Sequence, residues 1–301
     1  ELTLYGEDPV TLASLRDELF DQAEALDAAL SRYRPDSDVS RVNAAAGAAP
    51  VPVASQTAQL LRRSVEYTAL TRGAFDITVG PLVGLWIEAA ERDRRPTRER
   101  LARRAALVDA QRVRIGENDR VALDAGMSID LGGVAKGYAL DRMRPRLQQA
   151  GVASALLSFG QSSAWAIGAP PGLAGWRLLA RAPDGGFAGI LTLREDALSV
   201  SGSLGQWTEI EGRRYGHVLD PRSGEPLVRR REALVVTPNA TLAEALSKAL
   251  LVLGEDEGIA LIESVDDCEA LLLDQDGRAW RTSGWQLRTA YEPVAGSAVT
   301  P

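Results

Sequence analysis

The chain has 301 residues, 45% apolar and 25% charged, an ordinary balance for a folded water-soluble protein and enough length for one large domain or two lobes. A formal net charge of −7 argues against a nucleic-acid-binding surface or docking on an acidic membrane, and no apolar run approaches a membrane span. The single cysteine, Cys268, excludes an internal disulfide, and the single histidine, His217, excludes a histidine-rich metal site; the whole reads as an acidic monomer.

Glu1 to Gly6 alternates as a strand does, and Asp8 and Pro9 suit an N-cap and a first helical position. Leu12, Leu15, Leu19, Leu26 and Leu30 then recur at helical spacing, predicting an amphipathic helix to about Tyr33. Residues 31–43 read as a polar loop and 44–52 as a connector of small residues. A helix is predicted from about Ser55 to Gly73, with Leu60, Leu61, Val65 and Leu70 inward. Ala74 to Val79 reads as a short strand, and the arginine-rich stretch 92–104 as a charged, solvated helix.

The segment Ile129-Asp-Leu-Gly-Gly-Val-Ala-Lys-Gly-Tyr-Ala-Leu-Asp-Arg142 reads as a strand end, two glycines and a helix carrying Lys136 on its first turn. Glycines let backbone N–H groups approach a ligand, and a helix N-terminus attracts anions. Lys136 adds a full positive charge, and Asp130 suits a sugar, a base or a metal. A plain strand–turn–helix connection with a solvated lysine accounts for the same residues equally well. The spacing is not that of a Walker loop.

Beyond it, short apolar runs at 155–159, 164–167, 176–182, 190–193 and 198–200 alternate with Gly, Pro and Asp, which predicts an antiparallel sheet. Further strands are expected at 215–219, 233–236, 270–273 and 279–281, a helix at 242–253, and a loose tail over 292–301. Long helices beside strand meanders predict an α+β class, mainly antiparallel sheets flanked by helices in two closely packed lobes of one domain spanning 1–301.

Five motifs in order resemble the ApbE-type flavin transferases: Ser31-Arg-Tyr-Arg-Pro-Asp-Ser37 with Asn43; Gly73-Ala-Phe-Asp-Ile-Thr78 with Pro81, Leu82 and Trp86; the Ile129–Asp141 core; Ser201-Gly202; and Gly216-His-Val-Leu-Asp-Pro221 with Gly224. The resemblance covers nearly the whole chain. It implies that FAD is the substrate, bound in a cleft between lobes with Mg²⁺ on its pyrophosphate. A threonine hydroxyl of an acceptor protein would attack the FMN phosphorus, and AMP would leave. Such chemistry depends on charge neutralisation and in-line positioning. By resemblance, Tyr33, Ala74, Phe75, Asp76, Asp130, Lys136, Ser201, Gly202 and His217 contact FAD, and the Gly133 carbonyl faces the metal. Lys136 and His217 are the catalytic residues; His217, as a neutral imidazole, is expected either to hydrogen-bond the flavin or a phosphate or to help deprotonate the acceptor threonine. Family members often work outside the cytoplasmic membrane as lipoproteins. The sequence begins at Glu1 and not at methionine, so any signal peptide or anchor lies upstream of it, and placement outside the cytoplasmic membrane is implied by the resemblance alone.

The last family motif departs. Where the family has Ala-Asp-Ala-Leu-x-Thr, with Asp and Thr one helical turn apart as magnesium ligands, this chain has Ala243-Glu-Ala-Leu-Ser-Lys248. Glu244 keeps a carboxylate, but Lys248 replaces the hydroxyl with an ammonium that has no lone pair for a cation. Thr241-x-x-Glu244 also fits a capping box and Glu244–Lys248 a solvated i,i+4 pair, while the competing reading sets the tethered charge of Lys248 where the family puts magnesium. Ser158, Gly160-Gln161 and Ser203 depart from the family pattern as well. Three functions therefore compete: an active FMN transferase, a module that binds FAD or another nucleotide without transfer, and an enzyme that has adapted the same cleft to another substrate.

Overall fold

A computed structural model describes residues 1–6, 8–160 and 162–294. Gln161 and the tail beyond residue 294 lie outside the described residues. The chain divides into two compact units, one of 1–23, 136–203 and 229–301, the other of 24–135 and 204–228. The class is α+β, with antiparallel sheets and flanking helices.

The first unit is built on a seven-stranded sheet in the order Leu2–Tyr5, Ser154–Phe159, Ser163–Ile167, Ala197–Gly202, Arg231–Thr237, Glu269–Asp274 and Ala279–Arg281. Every neighbouring pair is antiparallel. Ser163–Ile167 is buried at all five positions, as a strand covered on both faces must be. Trp176–Arg181, by contrast, turns Trp176 and Ala180 inward and Arg177, Leu179 and Arg181 outward. It joins Phe187–Leu193 and Glu292–Pro293 in a smaller sheet, so the tail expected to be loose from 292 is paired with a strand through Pro293. Trp176, Leu191, Leu234, Val236, Leu271 and Trp285 share one apolar core.

The helix Ala240–Glu263 packs on this sheet and is apolar almost all round, the composition of a buried helix. It runs ten residues past the expected end at Leu253, interrupted at Gly254 (φ 82°), where an added Cβ would stand 2.8 Å from Arg231. Its N-cap is Asn239, whose side chain accepts from the Leu242 N–H; Thr241 is therefore not the cap that its spacing suggested.

The second unit carries the helices Asp38–Ala44, Ser55–Leu70, Gly80–Glu91 and Arg98–Ala105, with the small sheet Val51–Pro52, Arg120–Ala122, Arg114–Ile115 and the hairpin Trp207–Ile210/Arg213–Gly216. Leu82, Trp86 and Ala89 of one helix pack against Ile210, Tyr215 and Leu219, and the Trp86 indole N–H donates to the Gly224 carbonyl at 2.8 Å. The expected 31–43 loop instead ends in a helix, because Ser37 caps it by accepting from the Ser40 N–H at 3.0 Å. The expected strand at 74–79 is a 3₁₀ turn over Ile77–Val79, capped by Asp76.

Ile129–Leu131 belongs to no sheet. Its backbone is satisfied by other means: the Asn43 amide donates to the Ile129 carbonyl at 2.9 Å and accepts its N–H at 2.7 Å, while the Asp130 N–H donates to Ile77 at 2.8 Å.

Candidate functional site

In the first unit, two helices are locked together at their N-terminal ends. Both carboxylate oxygens of Asp141, on the Ala135–Gln149 helix, accept from the start of the second helix: Ala240 N–H at 2.8 Å, Thr241 N–H at 2.8 Å and the Thr241 hydroxyl at 2.5 Å. A borrowed carboxylate thereby meets the positive end of a helix dipole. Burial pushes the Asp141 pKa above the ordinary carboxylate value, with these donors acting against it. Gly137 makes the approach possible, since a Cβ there would collide with the Ala240 carbonyl oxygen and lie 2.9 Å from the Thr241 nitrogen. Asp141 and Gly137 thus set how Lys136 faces Glu244.

Lys136 reaches Ser162, donating to its hydroxyl, and its ammonium stands 4.0 Å from Glu244 Oε1. Glu244 is fully buried; Oε1 also accepts from the Ser163 hydroxyl, and Oε2 is buried without a hydrogen-bond partner among the described residues. The solvated Glu–Lys pair expected here is therefore not what forms. One turn on, Lys248 is partly buried; burial lowers its pKa and Lys136 adds to this, while Glu244 opposes it. Between the two, the Ser247 hydroxyl lies 2.9 Å from that of Ser199 and 2.8 Å from that of Ser201. Ser162 and Ser163 also line a groove of about 330 Å³ bounded by Leu178, Leu198, Val200 and Arg181. Glu244 with Lys136 and Lys248 leaves one net positive charge when both lysines are protonated, a setting for an anion.

Gly202, beside Ser201, pairs in register with Glu232, whose Oε1 would be 2.5 Å from a Cβ at Gly202. Burial raises the Glu232 pKa to about 7, against the pull of Arg181 and Arg230.

In the second unit, Asp130 accepts from the Gly132 N–H at 2.8 Å and pairs with Arg32 at 3.2 Å. Arg32 also lies over the ring of Tyr33, 4.6 Å from its centroid, and Tyr33 is 81% exposed. Gly133 lies where a Cβ would be 3.3 Å from the buried Phe75 ring. Asp76 is buried and engaged: it accepts from Thr78 N–H at 2.7 Å, the Thr78 hydroxyl at 2.6 Å and Ala110 N–H at 3.0 Å. Burial raises its pKa, and those three donors counter it. Ala74, beside it, is buried as well. His217 is exposed, with Nδ1 3.0 Å from the Gln206 carbonyl.

Lys136, Glu244, Lys248 and Ser201 are thus gathered within the first unit, whereas Tyr33, Ala74, Phe75, Asp76, Asp130, Gly133 and His217 belong to the second. Sequence reasoning assigned no role to Arg32, Asp141, Ser162 or Ser163. Asp141 stood inside the central motif; for the two serines the signal was only that polar residues follow a predicted strand.

The ApbE family profile matches residues 1–272. A Klebsiella pneumoniae protein named FAD:protein FMN transferase is 31% identical over 294 residues, covering 95% of this chain and 89% of its own. A Vibrio cholerae protein of the same name is 30% identical over 257 residues, covering 83% and 77%. Among solved structures, the apo flavinyl transferase ApbE of Pseudomonas stutzeri superposes with a TM-score of 0.82 at 30% identity, over 95% of this chain and 92% of that one. The ApbE protein of Thermotoga maritima gives a TM-score of 0.83 at 26% identity.

Proposed function

The chain belongs to the ApbE family, and we infer that it is an FAD:protein FMN transferase that holds the FAD diphosphate at Lys136, Glu244 and Lys248. One observation carries this reading: the Lys136 ammonium stands 4.0 Å from the buried Glu244 carboxylate, and Lys248 follows Glu244 by one turn of the same helix. Two lysines beside one carboxylate leave a positive charge, when both are protonated, that suits an anionic diphosphate.

The acceptor threonine Oγ attacks the FMN-side phosphorus. The bond from that phosphorus to the bridging oxygen breaks, AMP departs with the oxygen, and the hydroxyl proton passes to a general base, the role the family resemblance suggests for His217. FMN stays on the acceptor as a phosphoester. Lys136, steadied by Ser162, meets the charge that develops on the phosphoryl oxygens, and being already positioned it costs no reorganisation in the transition state. Tyr33 offers an exposed ring for stacking on the flavin or adenine. The Asp76 carboxylate, engaged by protein donors, serves by holding the turn that carries Phe75. Among the described residues no helix is long and apolar enough to cross a membrane. The setting proposed, by family resemblance, is outside the cytoplasmic membrane, which cell fractionation tests. The activity is tested by incubating the protein with FAD and a threonine-bearing acceptor, following AMP by chromatography and the acceptor by mass spectrometry. AMP and an acceptor heavier by FMN are expected, and intact FAD with an unchanged acceptor overturns the reading.

A further inference from the structure

Magnesium, which the family resemblance implies beside Glu244, does not fit the residues present. Mg²⁺ seeks near-octahedral oxygen coordination, with one or two carboxylates, hydroxyls and phosphate oxygens as ligands. Here Glu244 Oε1 is already shared by Ser163 and Lys136, which leaves Oε2 as the single open carboxylate oxygen. The Ser247 hydroxyl, the nearest alternative on the same helix, is held by Ser199 and Ser201. Among the described residues no group of three or more His, Cys, Asp or Glu is placed to hold a metal ion. The position one turn beyond Glu244 supplies an ammonium, which repels a dication and cannot ligate one.

We propose that Lys248 stands in for the divalent cation, so that this chain binds the FAD diphosphate through two tethered ammonium groups, independently of magnesium. The inference rests on FAD being the substrate. When protonated, each lysine brings a positive charge on a flexible stem. Glu244, 4.0 Å from Lys136 and one turn before Lys248 on the same helix, offsets part of the repulsion between the two positive charges. A chelator cannot remove such a site.

The test is a titration of FAD, followed by its fluorescence, into the purified protein in excess EDTA and again in excess Mg²⁺. The dissociation constants are expected to agree within ~twofold. Lys248→Met, which keeps the side-chain length, is expected to weaken binding by about tenfold or more in both buffers. Lys248→Thr is expected to lose binding in EDTA and regain it with Mg²⁺. Wild-type binding that Mg²⁺ tightens tenfold or more overturns the proposal, and this comparison needs no variant to fold. FAD that binds equally in both buffers, with Lys248 required but no AMP released, contradicts the transferase reading and leaves this inference standing. No binding in either buffer overturns both.

Discussion

Two regions of the chain treat their buried polar groups in opposite ways. Around Asp76, Asn43 and Ile129, every carboxylate, amide and backbone group named above meets a partner at 2.6–3.0 Å. Around Glu244, a carboxylate oxygen is buried with no partner among the described residues, Lys136 stands 4.0 Å away on another helix, and Lys248 lies one turn further along Glu244's own helix. The first arrangement is complete without a ligand, while the second has an acceptor and surplus positive charge in place before any ligand arrives. The sequence motifs of both regions look equally functional; what distinguishes the second is the pairing of a buried carboxylate with two lysines.

Lys136→Met tests the contrast most severely. Removing one preorganised charge from a phosphoryl-transfer site is expected to slow FMN transfer by about 10²–10³ while leaving the thermal midpoint nearly unchanged, since Lys136 is substantially exposed. Transfer kinetics beside a melting curve reads both. Asn43→Ala should do the reverse: it strands the Ile129 N–H and carbonyl, costing about 2–4 kcal/mol of stability by denaturant titration. If Asn43→Ala lowers transfer but not stability, the frame assignment fails.

Gly137→Ala pushes a methyl into the Ala240 backbone, where nothing flexible can yield, and should cost about 1–3 kcal/mol. Because it spreads the helices that hold Lys136 and Glu244, FAD affinity should fall with it. A variant of undiminished stability and affinity would show that the close helix approach does not set the site.

The smallest effect expected is on pH dependence. The folded-state pKa of Glu232 is raised from 4.5 to about 7, chiefly by burial. Its protonated form therefore favours the fold; that contribution is complete below pH 4.5, declines as pH rises and is gone above about 7. Glu232→Gln should match the wild type in acid and melt at a higher temperature than it near about pH 8. Parallel melting temperatures at every pH would contradict the assignment.

Much of the large sheet was legible, because its strands are short apolar runs closed by Gly, Pro and Asp. The helix after Ser37 was hidden by its few apolar residues, although a serine followed by Asp and a further serine carried a capping signal. Ile129–Leu131 alternates as a strand does, yet its partners are a side chain from residue 43 and a carbonyl from residue 77, which no local pattern can announce. The Glu244–Lys248 spacing was ambiguous by itself. The flanking Ala243, Ala245, Leu246, Ala249 and Leu250, all buried, were the readable sign that this turn faces inward and not toward water. The roles of Ser162 and Ser163 come from tertiary placement alone.

The central claim is that this lysine-based site carries out transfer and does not merely hold FAD. Its most direct test is AMP release from FAD in EDTA, measured with a threonine-bearing acceptor protein for the wild type and Lys136→Met side by side. The account predicts AMP in step with flavinylation of the acceptor by the wild type, and a loss of about 10²–10³ in the variant. Equal AMP release by both proteins, or none from the wild type, would contradict it.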